Sequence, residues 1–312
     1  MNLLKRAGKT RTWTESMDNE KSYVVNALNK PDVITFKPED FSYVYNSCGF
    51  RSDEFNDVEI LYGGCSFTEG EGLPSDLIWC SQLNKMIEKK FGRTLKLHNL
   101  GIGGTSIATV TRSMYWAIEV AKLKPKAVFL LLPSITREEV IVDNFCNVPN
   151  IIHLVPGFKN PKRSAVERFF LDRKVSTQRV SNMINDLFRN MLLVHYLCES
   201  NGIFFRFGTW ANFLNSLELP SISLKNLPSS YVSRSGWISI TSLIKDHLPK
   251  VLVSEFVDSN FTLEPSLTPD DKVYEQVIAR DYAHPGPNPH ITYAKSFFAS
   301  IEEDLRRLYE KH

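Results

Sequence analysis

Ser66 stands in the run Gly63-Gly64-Cys65-Ser66-Phe67-Thr68-Glu69-Gly70, and far along the chain Asp281-Tyr282-Ala283-His284 offers a carboxylate and an imidazole three positions apart. A serine hydroxyl is a weak nucleophile until a neighbouring base takes its proton. Imidazole serves as that base when a carboxylate accepts one ring N–H and leaves the other nitrogen facing the serine. A turn carrying Asp281 and His284 can supply both base and orienting group. The remaining need is for donors to a developing oxyanion. Gly104, at the end of Asn99-Leu100-Gly101-Ile102-Gly103-Gly104, can offer its N–H beside that of Ser66. These residue types suit acyl transfer through a serine ester. Thr68 occupies the position where an α/β-hydrolase elbow requires glycine, so the turn is not that motif.

Positioning such groups requires strands that end together. Val58–Tyr62 is a short apolar run that stops at two glycines, and Leu95–Asn99, Ala127–Leu132 and Ile203–Phe207 read as further strands. Between them, a helix after Pro74 presents Leu77, Ile78, Leu83, Met86 and Ile87 and closes near Gly92. Another runs through Met114 and Ile118 and stops before Pro125. Apolar residues at three- and four-residue steps mark a core-facing helix over 178–201, and a last helix begins near Asn288-Pro289. Strands alternating with helices predict an α/β fold, a three-layer α/β/α sandwich around a mostly parallel sheet, with the site at the carboxyl ends of the strands. Residues 1–57 read as an N-terminal extension packing on a domain of 58–312. Stretches at about 138–176 and 212–280 lack periodic pattern and read as insertions.

The order of these blocks resembles that of the SGNH (GDSL-like) hydrolase superfamily, a group of lipases and esterases. Gly64-Cys65-Ser66-Phe67-Thr68 is similar to its first block, Asn99–Gly104 to its second, and Asp281-x-x-His284 to its last. The resemblance implies Ser66 as nucleophile, Asp281 and His284 as the acid/base pair, and Ser66 and Gly104 as oxyanion donors. It also implies a small acyl ester substrate, including O-acetyl groups on a glycan, with no cofactor and no metal. Two departures stand out. Cys65 replaces the family's aspartate, and Leu132-Pro133-Ser134-Ile135-Thr136-Arg137 has no counterpart of the asparagine that completes the oxyanion hole. Losing one such donor lowers rates by about 100- to 1000-fold, so Ser134, Thr136 or Arg137 stands in, or the domain is catalytically impaired and binds glycan or serves a structural role. An acyltransferase with the same triad is a third reading.

Other readings of the same residues are weaker. Gly63–Gly72 lacks the Lys-Ser/Thr end of a phosphate loop and sets Glu69 and Glu71 where phosphates would lie. His290 reads as a surface or capping residue, His195 as a hydrogen-bonded core histidine, Cys65 as a packing thiol, and Trp210 as a cleft-lining or packing side chain. A net charge of +2 without blocks of like charge argues against nucleic-acid partners. No apolar run approaches the roughly 18 residues of a membrane span. Five scattered cysteines and a polar segment after the basic N-terminal residues predict a cytoplasmic protein with reduced thiols.

Overall fold

The computed structural model describes residues 3–14, 16–29, 36–135, 137–143, 149–154, 177–209, 213–214, 238–258, 279–281 and 284–310. The N-terminal segment holds β1 (Thr10–Arg11), α1 (Glu20–Asn29) and β2 (Tyr43–Val44), with β1 and β2 antiparallel. The chain continues through β3 (Ile60–Gly64), α2 (Ser66–Glu69), α3 (Trp79–Phe91), α4 (Ile107–Tyr115) and β4 (Ala127–Leu132). Then come β5 (Glu138–Asp143), β6 (Pro149–Leu154), α5 (Thr177–Ser200), β7 (Phe204–Thr209), β8 (Phe213–Leu214) and β9 (Ile238–Ser239). Last are α6 (Ile240–His247), β10 (Phe256–Val257) and α7 (Pro287–Tyr309).

Four strands form a parallel sheet in the order β10-β7-β4-β3. The stretch expected as a strand at 95–99 makes only a single parallel bridge to β3, between Tyr62 and Asn99. Its other side is occupied: the N–H of Leu97 donates to Asp53 Oδ2 at 2.7 Å, and that of Asn99 donates to Ser52 Oγ at 3.1 Å. Counting this stretch, the five segments lie in the order 2-1-3-4-5 of a doubly wound fold. The chain reverses direction across the sheet at β3, and a cleft opens there beyond the strand ends.

Side chains alternate across the sheet and build two apolar layers. Ile60, Tyr62, Ala127, Phe129 and Leu131 face α3 and α7, packing with Trp79, Leu83, Phe297 and Ile301. Leu61, Val128, Leu130 and Leu132 face α4 and α5, packing with Val110, Met114, Leu187 and Met191. Because both faces are covered, strands such as Ala127–Leu132 are apolar throughout, as buried parallel strands are. The architecture is the expected three-layer sandwich.

Several boundaries differ from the sequence expectation. α3 starts at Trp79, several residues after Pro74, because the chain first makes a separate turn in which the Leu77 N–H donates to the Pro74 carbonyl at 3.2 Å. α7 starts at Pro287 with Gly286 as its cap residue, so Asn288 lies inside the first turn. The aperiodic stretches are also not simple loops. The first contains the antiparallel hairpin β5–β6, and the second contributes β10, the outer strand of the main sheet. A two-residue strand is too short to show periodicity.

Gly64 ends β3 where no side chain fits: a Cβ there would lie 2.1 Å from Thr68 Oγ1 and 2.5 Å from the Leu131 carbonyl oxygen. Gly64→Ala is therefore expected to lose about 1–3 kcal/mol of stability, read as a lower urea midpoint at unchanged m-value. An unchanged midpoint would contradict this packing.

Candidate active site

The turn after β3 carries Ser66 as the first residue of the one-turn helix α2, which ends at Gly70 in a left-handed conformation (φ 79°). The turn before α7 carries Asp281 and His284. There the Asp281 carboxylate does two jobs. Oδ1 accepts the His284 backbone N–H at 3.0 Å, and Oδ2 pairs with the ring Nδ1. Three-residue spacing thus lets one carboxylate fix both the backbone and the imidazole. The other ring nitrogen, Nε2, lies 2.8 Å from Ser66 Oγ. Ser66 and Asp281 are buried, the His284 side chain is 9% exposed, and the Phe67 ring meets the imidazole edge-on.

The second glycine-rich turn lies against the first. Asn99 Nδ2 donates to the Thr68 carbonyl at 2.6 Å, and Asn99 Oδ1 accepts the Gly101 N–H at 2.7 Å. Gly101 is pressed so closely that a Cβ would sit 2.3 Å from the Glu69 nitrogen. Gly104 adopts φ 74° with open space where a side chain would be. Arg137 Nη1 reaches the Thr105 carbonyl at 3.5 Å, which sets its guanidinium beside this turn. Ser134 is half-buried just past β4, while Thr136 and Trp210 lie outside the described residues.

Two glutamates that the sequence reading treated only as obstacles to phosphate are built into the site. Glu69 Oε2 accepts the Gly103 N–H at 2.5 Å, and its Oε1 pairs with Arg6 Nη1 at 2.6 Å. Glu71 Oε1 accepts from Thr14 Oγ1 at 2.6 Å and from the Met17 and Asp18 backbone N–H groups at 2.8 and 3.2 Å. Its Oε2 lies 3.9 Å from His284 Nε2. Arg280, next to Asp281, is fully buried and bonds to Asp18 Oδ2 at 2.6 Å. The signal for these residues was charge at positions that the glycine-rich turns force inward. Its partners on residues 6–18 were not recognisable in the sequence.

The charges set the histidines apart. Burial pushes the His284 imidazole down, but the Asp281 carboxylate and its hydrogen bond, with Glu71 and Cys65 adding to them, outweigh burial and hold it at about 9. Burial, with the charge of His284 nearby, drives His290 down to about 3. His290 is thus a neutral interior residue and not the surface group expected: its Nδ1 accepts the Trp79 N–H at 3.0 Å and so tethers the start of α3. His195 is a hydrogen-bonded core residue, 2.5 Å from Glu255 Oε1. Cys65 is buried beside Ser66. Among the described residues no cluster of three or more His, Cys, Asp or Glu is arranged to hold a metal ion, and no helix is long and apolar enough to cross a membrane.

No protein-family model matches the chain, and no curated protein matches it. Among solved structures it is similar to TesA at 14% identity, covering 78% of this chain and 98% of that one with a TM-score of 0.43. It is similar to a lipolytic protein of the G-D-S-L family from Veillonella parvula at 11% identity, covering 78% and 97%, TM-score 0.38. It is also similar to the psychrotrophic esterase EstA from Pseudoalteromonas sp. at 12% identity, covering 80% and 100%, TM-score 0.40.

A histidine raised to about 9 in the fold from about 6.5 unfolded favours the folded state fully below about pH 6.5, and that contribution is lost as pH rises through 9. The His284 ring resonances are expected to titrate with a midpoint near 9 by NMR, and Glu71→Gln to lower it. A wild-type midpoint near 6.5 would contradict this charge arrangement.

Proposed function

We propose that the chain is a serine hydrolase of the SGNH type that cleaves small acyl esters, with O-acetyl groups on a glycan as the favoured substrate class. The observation that carries this reading is the continuous relay from Asp281 through His284 to Ser66, with 2.8 Å between His284 Nε2 and Ser66 Oγ. On this reading residues 58–312 are the hydrolase domain and residues 1–57 an extension that helps to enclose its site.

In the proposed reaction the neutral form of His284, which stays the minor form until the pH passes about 9, takes the Ser66 proton as Oγ attacks the ester carbonyl carbon. The carbonyl oxygen becomes an oxyanion that accepts from the Ser66 and Gly104 N–H groups, neither of which has another hydrogen-bond partner among the described residues. Collapse of the adduct breaks the bond to the alcohol, which leaves with the proton from His284. A water then gives a proton to His284 and attacks the acyl-serine, and as the bond to Oγ breaks His284 returns that proton to Ser66 and the acid is released. Asp281 holds the tautomer throughout and stabilises the imidazolium that forms in each half. The third donor of the family has no asparagine here. Arg137, anchored at Thr105, is the side chain best supported for that role, since a guanidinium donates strongly to an oxyanion.

The measurement is hydrolysis of p-nitrophenyl acetate and butyrate, with fluorophosphonate labelling alongside. Ser66→Ala is expected to abolish labelling and to lower kcat by about 10⁴-fold or more, while Cys65→Ala keeps both. An unlabelled and inactive wild type would favour the binding or structural reading. Faster acyl transfer to an added alcohol than to water would favour an acyltransferase.

A further inference from the structure

We propose that Glu69 is a positioning residue for the oxyanion turn and that Arg6, delivered by the N-terminal segment, is the counter-charge that allows a carboxylate to serve there. The proposal rests on the hydrolase reading above and extends the site to residues outside the triad.

Glu69 spans both turns of the site. Its backbone belongs to α2, the helix that begins at Ser66, and its Oε2 holds the Gly103 N–H at 2.5 Å. Gly103 directly precedes Gly104, so a bond at this N–H fixes the Ile102–Gly103 peptide, one unit ahead of the left-handed Gly104 whose own N–H the hydrolase reading assigns to the oxyanion. The tie is short and fully enclosed, with Glu69 1% exposed. A carboxylate is the strongest acceptor available for a backbone N–H, which suits it to hold a glycine-rich turn that has few side chains of its own.

The same carboxylate is a hazard. A Cβ on Gly103 would lie 3.0 Å from Glu69 Oε2, 3.2 Å from Glu71 Oε2 and 3.7 Å from Ser66 Cβ, so both glutamates lie close to the serine. An uncompensated negative charge there would oppose a second one forming on the substrate. Arg6 meets Glu69 at 2.6 Å with both side chains at most 2% exposed, and its guanidinium stacks 4.9 Å from the Tyr45 ring centroid. The segment bearing Arg6 is fastened at a second point, where Thr14, Met17 and Asp18 all donate to Glu71 Oε1. It is fastened at a third through Asp18, which bonds to Arg280 beside the catalytic aspartate. Residues 6–18 thus touch the nucleophile turn and the acid/base turn through charged groups, in a region where packing alone would have used apolar side chains.

The test compares two charge-neutral pairs. Arg6→Gln/Glu69→Gln keeps an acceptor for the Gly103 N–H, whereas Arg6→Met/Glu69→Leu keeps the volume and removes the acceptor. The Gln pair is expected to show a kcat about 10–100-fold higher than the Met/Leu pair at similar KM, and slower hydrogen exchange at Gly103. Arg6→Gln alone, which leaves Glu69 charged, is expected to raise the His284 titration midpoint and to lower kcat below that of the Gln pair. Thermal unfolding of each variant separates these effects from loss of fold, and if Arg6→Gln does not fold the two pairs still decide. Equal kcat in both pairs, or equal exchange at Gly103, overturns the positioning role while fluorophosphonate labelling of the wild type leaves the hydrolase reading standing. Absence of wild-type labelling sinks both.

Discussion

Four carboxylates lie inside the protein around one serine: Asp18, Glu69, Glu71 and Asp281, each no more than 4% exposed. An ionised carboxylate taken out of water is destabilised by several kcal/mol unless hydrogen bonds and opposite charge replace its hydration. Each has such partners. Asp18 bonds to Arg280, Glu69 to Arg6, Glu71 to three donors on residues 14–18, and Asp281 to His284. Arg51 is buried among them and donates to the Glu69, Gly70 and Leu73 carbonyls, which keeps the Ser66 turn closed. The arginines alone leave negative charge in excess, and the His284 imidazolium is the cation that offsets it.

That constraint links the N-terminal segment to the turn that carries Ser66. A serine, histidine and aspartate are brought together here by two turns that meet at one end of the sheet, but the acidic turn beside the serine needs partners from elsewhere in the chain. The N-terminal segment supplies them as the Arg6 guanidinium for Glu69 and as three neutral donors for Glu71, and the Arg280 guanidinium lies 4.4 Å from the Trp13 ring centroid and 3.9 Å from that of Phe41. Cation–π contacts of this kind retain part of the stabilisation that water would otherwise give.

The two apolar layers of the sandwich make such precision possible. Close contact at Gly64 and Gly101, where backbone meets backbone, fixes both glycine-rich turns to the ends of packed strands. The doubly wound order places those turns side by side at the point where the chain reverses across the sheet. Three histidines show how much their surroundings matter. His284 is raised by carboxylates, His290 is lowered by burial and a neighbouring charge, and His195 pairs with Glu255.

Much of this was legible in the residues themselves. An apolar run ending in glycines marked β3, one between Pro125 and Pro133 marked β4, helical spacing marked α5 and α7, and the three-residue step from Asp281 to His284 matched a carboxylate that holds both the backbone and the ring. These features are local: period, turn chemistry and short spacing are properties of contiguous residues. What only the tertiary structure decided is long-range. It paired Arg6 with Glu69 and Asp18 with Arg280, turned His290 inward onto Trp79, and made a two-residue segment at Phe256–Val257 the outer strand of the main sheet. A charged residue in a sequence does not state whether water or a distant partner will satisfy it, and that choice is made only when the chain packs.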